Sequence, residues 1–361
     1  MNILYISNVM EFGGVEKCII QLSNGFKKDN KVIVCTAGGP LTKELAEINI
    51  PHYTILNTDS KGPRTIIKNL NIIYKIIKDE NIDIVHSHHR MTTLYCKFLS
   101  RFMKFKLIHT QHLCIEDKVK FTKFALGNIP IITVSDGAKK NLITKYGLDG
   151  KNITTIYNTV ETKNSNYTID DKLIELKNNG NFIVSQISRL VDYKGVLDFV
   201  EIANKVCKIE KNIKFVLIGS GPERDNIIKL IRKYNLDDNV FLLGNKDNII
   251  NQLKYIDLVL LCSYIEGLPL VPLEAFSQGI PVIGTNIGGT NEEIIDNVNG
   301  FLVEKRDVDT FAKKIIELYR NKEVYIKQKE NSIAIFNSKF NKKMYIDNHK
   351  KYYNNIQNYE V

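Results

Sequence analysis

The feature that most constrains this chain is a rhythm of short apolar runs alternating with amphipathic segments, which breaks once and then restarts. In the first half, residues 3–7, 31–36, 82–86, 106–109 and 131–135 read as strands, being short, apolar and bounded by polar or turn residues. Between them, 15–27, 41–47, 66–78 and 136–145 carry apolar side chains at helical spacing, as in Ile19, Ile20, Leu22 and Phe26. Such alternation predicts a parallel sheet covered by helices on both faces. The sequence turns polar around 164–181, through NSNYTIDDKL and KNNGN, and a domain junction is expected there. The rhythm then resumes with strands at 182–187, 214–219, 240–243, 258–262 and 281–284, and helices at 195–208, 224–234 and 309–320. The tail, 341–358, reads as a polar, Tyr-rich helix with no strand after it.

At 361 residues the chain is long for one domain. The expected fold class is α/β, with two Rossmann-like domains facing each other across a cleft. Their expected limits are 1–165 and 166–340, with 341–361 forming a helix that packs back toward the N-terminal domain. Ligands of such sheets sit at the carboxyl ends of strands, so the cleft is the expected active site. None of the six cysteines forms a C-x-x-C pair, which suits reduced, buried thiols. The N-terminus reads directly as a strand, without a basic leader, and no apolar run approaches the ~20 residues of a transmembrane helix. A cytoplasmic protein is therefore expected.

Net charge is +10 and uneven: residues 1–163 hold 23 Lys and Arg against 14 Asp and Glu, the remainder 27 against 26. The densest basic stretch is 92–106, where Leu94, Tyr95, Phe98, Leu99, Phe102 and Met103 fall at helical spacing around Lys97, Arg101 and Lys104. It reads either as a surface helix meeting an anionic membrane or as a core-facing helix with a solvated basic face, which is the commoner arrangement. No RNA- or DNA-binding motif accompanies the charge, so nucleic acid is not an expected partner.

The chemistry concentrates in Glu266-Gly-Leu-Pro-Leu-Val-Pro-Leu-Glu274-Ala-Phe-Ser-Gln-Gly279. Glu266 lies in a loop broken by Gly and Pro, and Glu274 about a turn into a helix that Gly279 stops. A core helix needs neither acid. Carboxylates accept strongly from sugar hydroxyls, and a helix N-terminus favours phosphate, so the segment suits a nucleotide sugar. Arg189 and Lys194, five apart on a strand-to-helix connection, can grip phosphate oxygens. The loop with Gly13 and Gly14 opens a helix after the first strand, where paired glycines let backbone approach an anion. Gly219-Ser-Gly221 opens like a dinucleotide fingerprint, but Arg224 stands where that pattern needs its third Gly. His86, His88, His89, His109 and His112 cluster at two strand ends and fit a polar cleft lining better than a metal site. Asp307 and Asp309 resemble an acidic metal-binding pair, but their place before an amphipathic run marks an N-cap.

With these residues in place, nearly the whole chain resembles the retaining GT-B glycosyltransferases of the group 1 family, glycosyltransferase family 4-like. ISRLVDYKG, FVLIGSGPERD, SYIEGLPLVPLEAFSQGIPVIGTNIGGTNEEI and NGFLV carry the match, and Glu266 and Glu274 fall on the family's Glu-x7-Glu. GGVE, His112, Val134-Ser135 and Ile156-Tyr-Asn158 match more weakly. The resemblance implies that Arg189 and Lys194 bind the donor diphosphate and stabilise the leaving group. Glu274 would accept the ribose hydroxyls and Glu266 would contact the transferred sugar, helped by the backbone around Gly267, Leu268 and Leu270. Gly14 would close on the phosphates, while Gly219, Gly221 and Gly244 to Lys246 would face the base. His112 would lie beside the reacting sugar, with His109 as the alternative. Leu268 and Leu270 depart from the EGFGL of many relatives.

The implied reaction is metal-independent, cofactor-free sugar transfer with retention, from a nucleotide-diphosphate donor, UDP-sugar foremost. The acceptor would be a glycan or lipid-linked molecule held by the N-terminal half, in surface polysaccharide or glycolipid synthesis. A peripheral place on the inner face of the cell membrane would fit the basic half. A nucleotide-sugar epimerase on the same fold and a catalytically silent, nucleotide-sugar-binding partner subunit are the competing readings.

Overall fold

The computed structural model describes residues 1–60, 62–114, 117–162, 168–246 and 248–358. The chain divides into two compact units, one of Met1–Thr159 with Lys342–Val361, the other Val160–Asn341. The boundary expected at 165/166 falls within 163–167, outside the described residues.

The first unit runs β1 (Asn2–Ile6), α1 (Gly14–Phe26), β2 (Lys31–Thr36), α2 (Thr42–Glu47), β3 (His52–Thr54), α3 (Pro63–Asp79), β4 (Ile84–Ser87), α4 (Arg90–Leu99), β5 (Lys106–Gln111), α5 (Val119–Leu126), β6 (Ile131–Thr133), α6 (Asp136–Tyr146) and β7 (Ile153–Thr155). All pairings are parallel, in the order β3-β2-β1-β4-β5-β6-β7. Successive strand residues go to opposite cores, as a period of two requires. Ile3 and Tyr5 join Ile19, Leu22 and Phe26 on one face, while Leu4 and Ile6 join Ile73, Ile76 and Tyr95 on the other.

The second unit repeats the plan with α7 (Asp171–Asn178), β8 (Phe182–Ile187), α8 (Val196–Ile209), β9 (Ile213–Ile218), α9 (Arg224–Lys233), β10 (Val240–Gly244), α10 (Ile249–Leu253), β11 (Leu258–Leu261), α11 (Leu270–Ser277), β12 (Val282–Thr285), α12 (Thr290–Glu293), β13 (Gly300–Val303), α13 (Val308–Arg320) and α14 (Lys322–Lys339). Its six parallel strands follow the order β10-β9-β8-β11-β12-β13. Phe199, Val200 and Ala203 of α8 pack on Phe215 and Leu217, with Phe199 and Phe215 edge to face at 5.5 Å. Asp307 is the N-cap of α13, its carboxylate accepting from the Thr310 N–H at 3.0 Å, as its sequence context predicts. Asp309 pairs with Lys205 at 2.8 Å.

The last helix, α15 (Lys342–Asn358), belongs to the first unit. Tyr345, Ile346 and Tyr353 enter its core beside Phe26. Gly25 is where α1 meets it: a Cβ there would stand 2.2 Å from Ile346 Cδ1.

One sequence reading changes. The helix expected over 92–106 ends at Leu99, and its aromatic residues divide. Tyr95 and Leu99 face the core, but Phe98 and Phe102 are 48% and 73% exposed. Among the described residues no helix is long and apolar enough to cross a membrane.

Candidate active site

The order of strands reverses once in each sheet, between β1 and β4 and between β8 and β11. At such switch points the loops leaving the carboxyl ends of adjacent strands diverge and leave a crevice. In the second unit the relevant loops follow β8 and β11. A 3-10 turn, Asp192–Lys194, ends the first of them. The buried Gln186 amide donates to the Lys194 carbonyl at 2.7 Å and ties this turn to its strand. The Tyr264 N–H donates to the Tyr193 carbonyl at 2.8 Å and joins the two loops. The Lys194 ammonium then reaches Glu266, Nζ to Oε1, at 2.5 Å. Arg189 is exposed and donates through Nη2 to the Tyr193 hydroxyl at 2.6 Å. Tyr193 thus links the two cations, since the Lys194 Nζ lies 5.7 Å from the centroid of the same ring.

Pro269 is the N-cap of α11 in an extended conformation, without a side-chain cap. Pro272 sits in the first turn, where a missing N–H breaks no helical bond. Glu274 is buried one turn further in, and Leu268 and Leu270 are buried as well. The two leucines thus fill the core beneath the loop.

The Gly219–Gly221 loop is fixed by a backbone contact. Gly219 and Gly221 have φ of +136° and +158°, and a Cβ would stand 1.9 Å from the Ser188 carbonyl oxygen at the first and 2.4 Å from that of Leu190 at the second. The Leu190 N–H donates to Ser220 O at 2.8 Å, and Gly219 N–H to Gly244 O at 2.8 Å. Gly219, Gly221, Gly244 and the loop bearing Arg189 are therefore one connected surface. Gly244 has open space at its Cα.

Two residues were not singled out from sequence. Gly289, at φ +89°, packs against the Glu266 loop so closely that a Cβ would stand 1.9 Å from the Gly267 carbonyl oxygen. Glu293 of α12 is fully buried, and neither carboxylate oxygen has a hydrogen-bond partner. Burial first, then the charges of Glu266 and Glu292, push its pKa well above the usual carboxylate range. Burial and the neighbouring carboxylates thus both favour the protonated form of Glu293. Its sequence, one of two adjacent acids in a polar segment, gives no sign of burial.

In the first unit, Gly14 opens α1 with its backbone exposed. His86, His88 and His109 are buried at the ends of β4 and β5. His86 is bonded on both nitrogens, Nδ1 to the Tyr353 hydroxyl and Nε2 to the Thr110 hydroxyl, each at 2.6 Å. His109 is also engaged on both, with Thr93 at 2.8 Å and Gln111 at 3.3 Å. His112 is only partly buried, and its Nε2 lies 2.9 Å from His88 Nδ1. Burial holds the pKa of His109 and of His112 down at about 3. These imidazoles are neutral at physiological pH, so His112 can exchange hydrogen bonds but carries no charge. Among the described residues, no group of three or more His, Cys, Asp or Glu is arranged to hold a metal ion.

Comparison with known proteins identifies the family and the fold. Residues 12–164 match Glycosyltransferase Family 4 and residues 169–334 match Glycosyl transferases group 1. The chain is 30% identical over 328 residues to the UDP-Gal:alpha-D-GlcNAc-diphosphoundecaprenol alpha-1,3-galactosyltransferase of Escherichia coli, which covers 84% of each protein. It is 28% identical over 266 residues to the N-acetyl-alpha-D-glucosaminyl L-malate synthase of Bacillus anthracis, 70% of this chain and 69% of that one. A glycosyltransferase structure from Rickettsia africae ESF-5 superposes over the full length of both chains with a TM-score of 0.86 at 25% identity. The fold is GT-B. The chain belongs to the group 1 glycosyltransferases of family 4 type.

Proposed function

We propose that this glycosyltransferase moves a sugar from a UDP-sugar to a glycan or lipid-linked acceptor with retention at the anomeric carbon. The observation that carries the reading is the Lys194–Glu266 pair at the β8/β11 switch point, with Glu274 buried one helical turn into α11. The site supplies a cation for a diphosphate and carboxylates for hydroxyls without a metal. Lys194 and Arg189 bind the diphosphate, Glu274 the ribose, and Glu266 the transferred sugar. The Gly219–Gly221 and Gly244 backbone faces the base. Gly14 approaches the phosphates, and His112 donates or accepts a hydrogen bond at the reacting sugar. In the front-face step the bond from the anomeric carbon to the diphosphate breaks, and the acceptor oxygen bonds to the same face. The acceptor proton passes to the leaving phosphate oxygen. The cations stabilise the charge that develops there, and one such preorganised donor is worth about 2.7–4 kcal/mol of barrier.

The name of the Escherichia coli relative supports a UDP donor and a lipid-diphosphate acceptor. A membrane-side acceptor also fits the first unit's surface. Phe98 and Phe102 are edge to face at 5.4 Å, and Phe124 is 65% exposed on α5. Arg101, Lys104 and Lys120 lie within a few residues of them in sequence. Exposed aromatics among cations suit an anionic bilayer surface, so we place the protein peripherally on the membrane.

The test is thermal stability of the full chain with UDP, GDP and ADP in the presence of EDTA, followed by turnover with UDP-galactose, UDP-glucose and UDP-N-acetylglucosamine on a polyprenyl-diphosphate glycan. A selective UDP shift, lost in Glu274→Ala, is expected; mass action gives about 2.7 kcal/mol at a hundredfold excess over Kd. No shift with any nucleotide, or a product of inverted configuration, would refute the corresponding part of the reading.

A further inference from the structure

We propose that His88 is a positioning residue that fixes the tautomer of His112, so that His112 presents its Nδ1–H as a neutral hydrogen-bond donor to a substrate oxygen. This deepens the proposed function and rests on it for the identity of the substrate. It also assigns a role to a histidine outside the family pattern recognised in the sequence.

The argument begins with proton bookkeeping in the His88–His112 bond. Burial pushes the pKa of His88 well below the usual range for histidine and that of His112 down to about 3, so each ring carries one proton. One nitrogen of the pair, His88 Nδ1 or His112 Nε2, must be the donor across the 2.9 Å contact. If His112 donates from Nε2, His88 holds its proton on Nε2. That atom is buried and has no hydrogen-bond partner. An orphaned buried N–H is among the rarest defects in folded proteins. If His88 donates from Nδ1 instead, its Nε2 is a bare lone pair and no N–H is stranded. His112 then accepts on Nε2 and must carry its proton on Nδ1. Among the described residues His112 Nδ1 makes no hydrogen bond, and the residue keeps part of its surface in solvent, so this N–H is available to a ligand.

The surroundings hold His88 in place for this purpose. Its ring stacks on His86 at 4.4 Å and on His112 at 5.2 Å, both at 29°, with Tyr5 at 6.0 Å. His86 in turn cannot rotate without losing Tyr353 on one side and Thr110 on the other. Tyr353 comes from α15, so the last helix of the chain braces the stack. The charged and titratable neighbours acting on the pair are His86, His109 and His349, all of them held neutral by burial. A neutral donor suits recognition of a sugar hydroxyl or ring oxygen. A low His112 pKa makes it a weak base, which fits transfer of the acceptor proton to the departing phosphate.

The experiment uses the full chain with 15N-labelled histidine and long-range proton–nitrogen NMR, alongside kinetics. In the wild type, His112 should show a protonated Nδ1 and a bare Nε2. His88→Phe keeps a ring in the stack but removes the donor, and His112 should then populate both tautomers. His88→Asn restores an N–H near the position of Nδ1 and should restore the wild-type pattern. In turnover, His88→Phe should lower kcat/KM about tenfold, His88→Asn should recover most of it, and His88→Phe should add nothing in a His112→Ala background. A protonated Nε2 on His112 in the wild type overturns the proposal. So does a His88→Phe effect that persists without His112. The NMR arm needs no turnover, so failure of the glycosyltransfer assay alone would fall on the proposed donor or acceptor and leave the tautomer assignment to be judged by the spectra. Should His88→Phe fail to fold, the wild-type spectrum and the His88→Asn variant still decide it.

Discussion

The Lys194–Glu266 pair gives the sharpest quantitative prediction, because it can be tested without a substrate. At 2.5 Å the attraction is about 6–7 kcal/mol for an effective dielectric near 20, and desolvation offsets much of it at several kcal/mol per ion. The informative change is therefore removal of one partner. Glu266 is 4% exposed and has no other recorded partner among the described residues, so Lys194→Met leaves a buried carboxylate alone. Breaking a fully buried pair costs about 3–5 kcal/mol. Lys194 keeps 18% of its side-chain surface in solvent; water can reach the orphan, and we expect about 2–3 kcal/mol. At about 2–4 °C per kcal/mol for a domain of this size, the second unit should melt about 4–12 °C lower in calorimetry. Glu266→Gln should cost less, because a lysine near the surface finds water more easily than a buried carboxylate does. Adding it to Lys194→Met should return much of the lost stability. Refutation would be additivity of the two changes within about 0.5 kcal/mol, the behaviour of sites that do not interact.

Four further outcomes follow from the same geometry. Because burial raises the folded-state pKa of Glu293, the stability it contributes is present below the unfolded carboxyl value of about 4.3 and is lost as pH rises through the folded value; urea melts should show Glu293→Met gaining on the wild type between pH 4 and pH 8, and a pH-independent difference would contradict a neutral Glu293. Gly219→Ala forces a Cβ into the Ser188 carbonyl at a φ that side chains avoid, so it should cost at least about 2 kcal/mol and weaken UDP binding in the same preparation; a melt unchanged from wild type would disprove the contact. Replacing Phe98, Phe102 and Phe124 together by Ser should leave the melting curve within about 1 kcal/mol of wild type and reduce flotation with phosphatidylglycerol-containing vesicles; equal flotation would remove the membrane face. Turnover should persist after chelation with EDTA and dialysis, and a loss restored by added divalent ion would refute metal-independent leaving-group stabilisation.

Legibility in the sequence followed the physics that produced each element. Central strands such as β2 and β8 match their expected limits, because burial on both faces makes them continuous apolar runs. The edge strands β3 and β7 escaped notice: each has three residues, HYT and ITT, and edge positions need no such run. Helix α14 shows why periodicity can fail over eighteen residues. Its buried face includes Gln328 and Ser332, while Ile326 and Ile333 face solvent, so hydrophobicity does not mark the packed side. The aromatics of α4 misled in the opposite sense, since Phe98 has helical spacing yet lies outside the core.

The candidate site divides along a related line. Residue types at strand ends are local information, so Arg189, Lys194, Glu266, Glu274 and His112 could each be picked from the sequence. Which of them meet is not local. Lys194 and Glu266 are 72 positions apart and touch because β8 pairs directly with β11, two non-consecutive strands. Glu293 likewise feels the charge of Glu266, in a loop that Gly289 packs against at Gly267. His88 and His112 meet because β4 pairs with β5 in a register that sets Ser87 opposite His109. Strand order and register thus turn a set of candidate residues into particular pairs, and protonation states belong to those pairs. That is why the sequence could nominate His112, while only its neighbour His88 defines what His112 can donate.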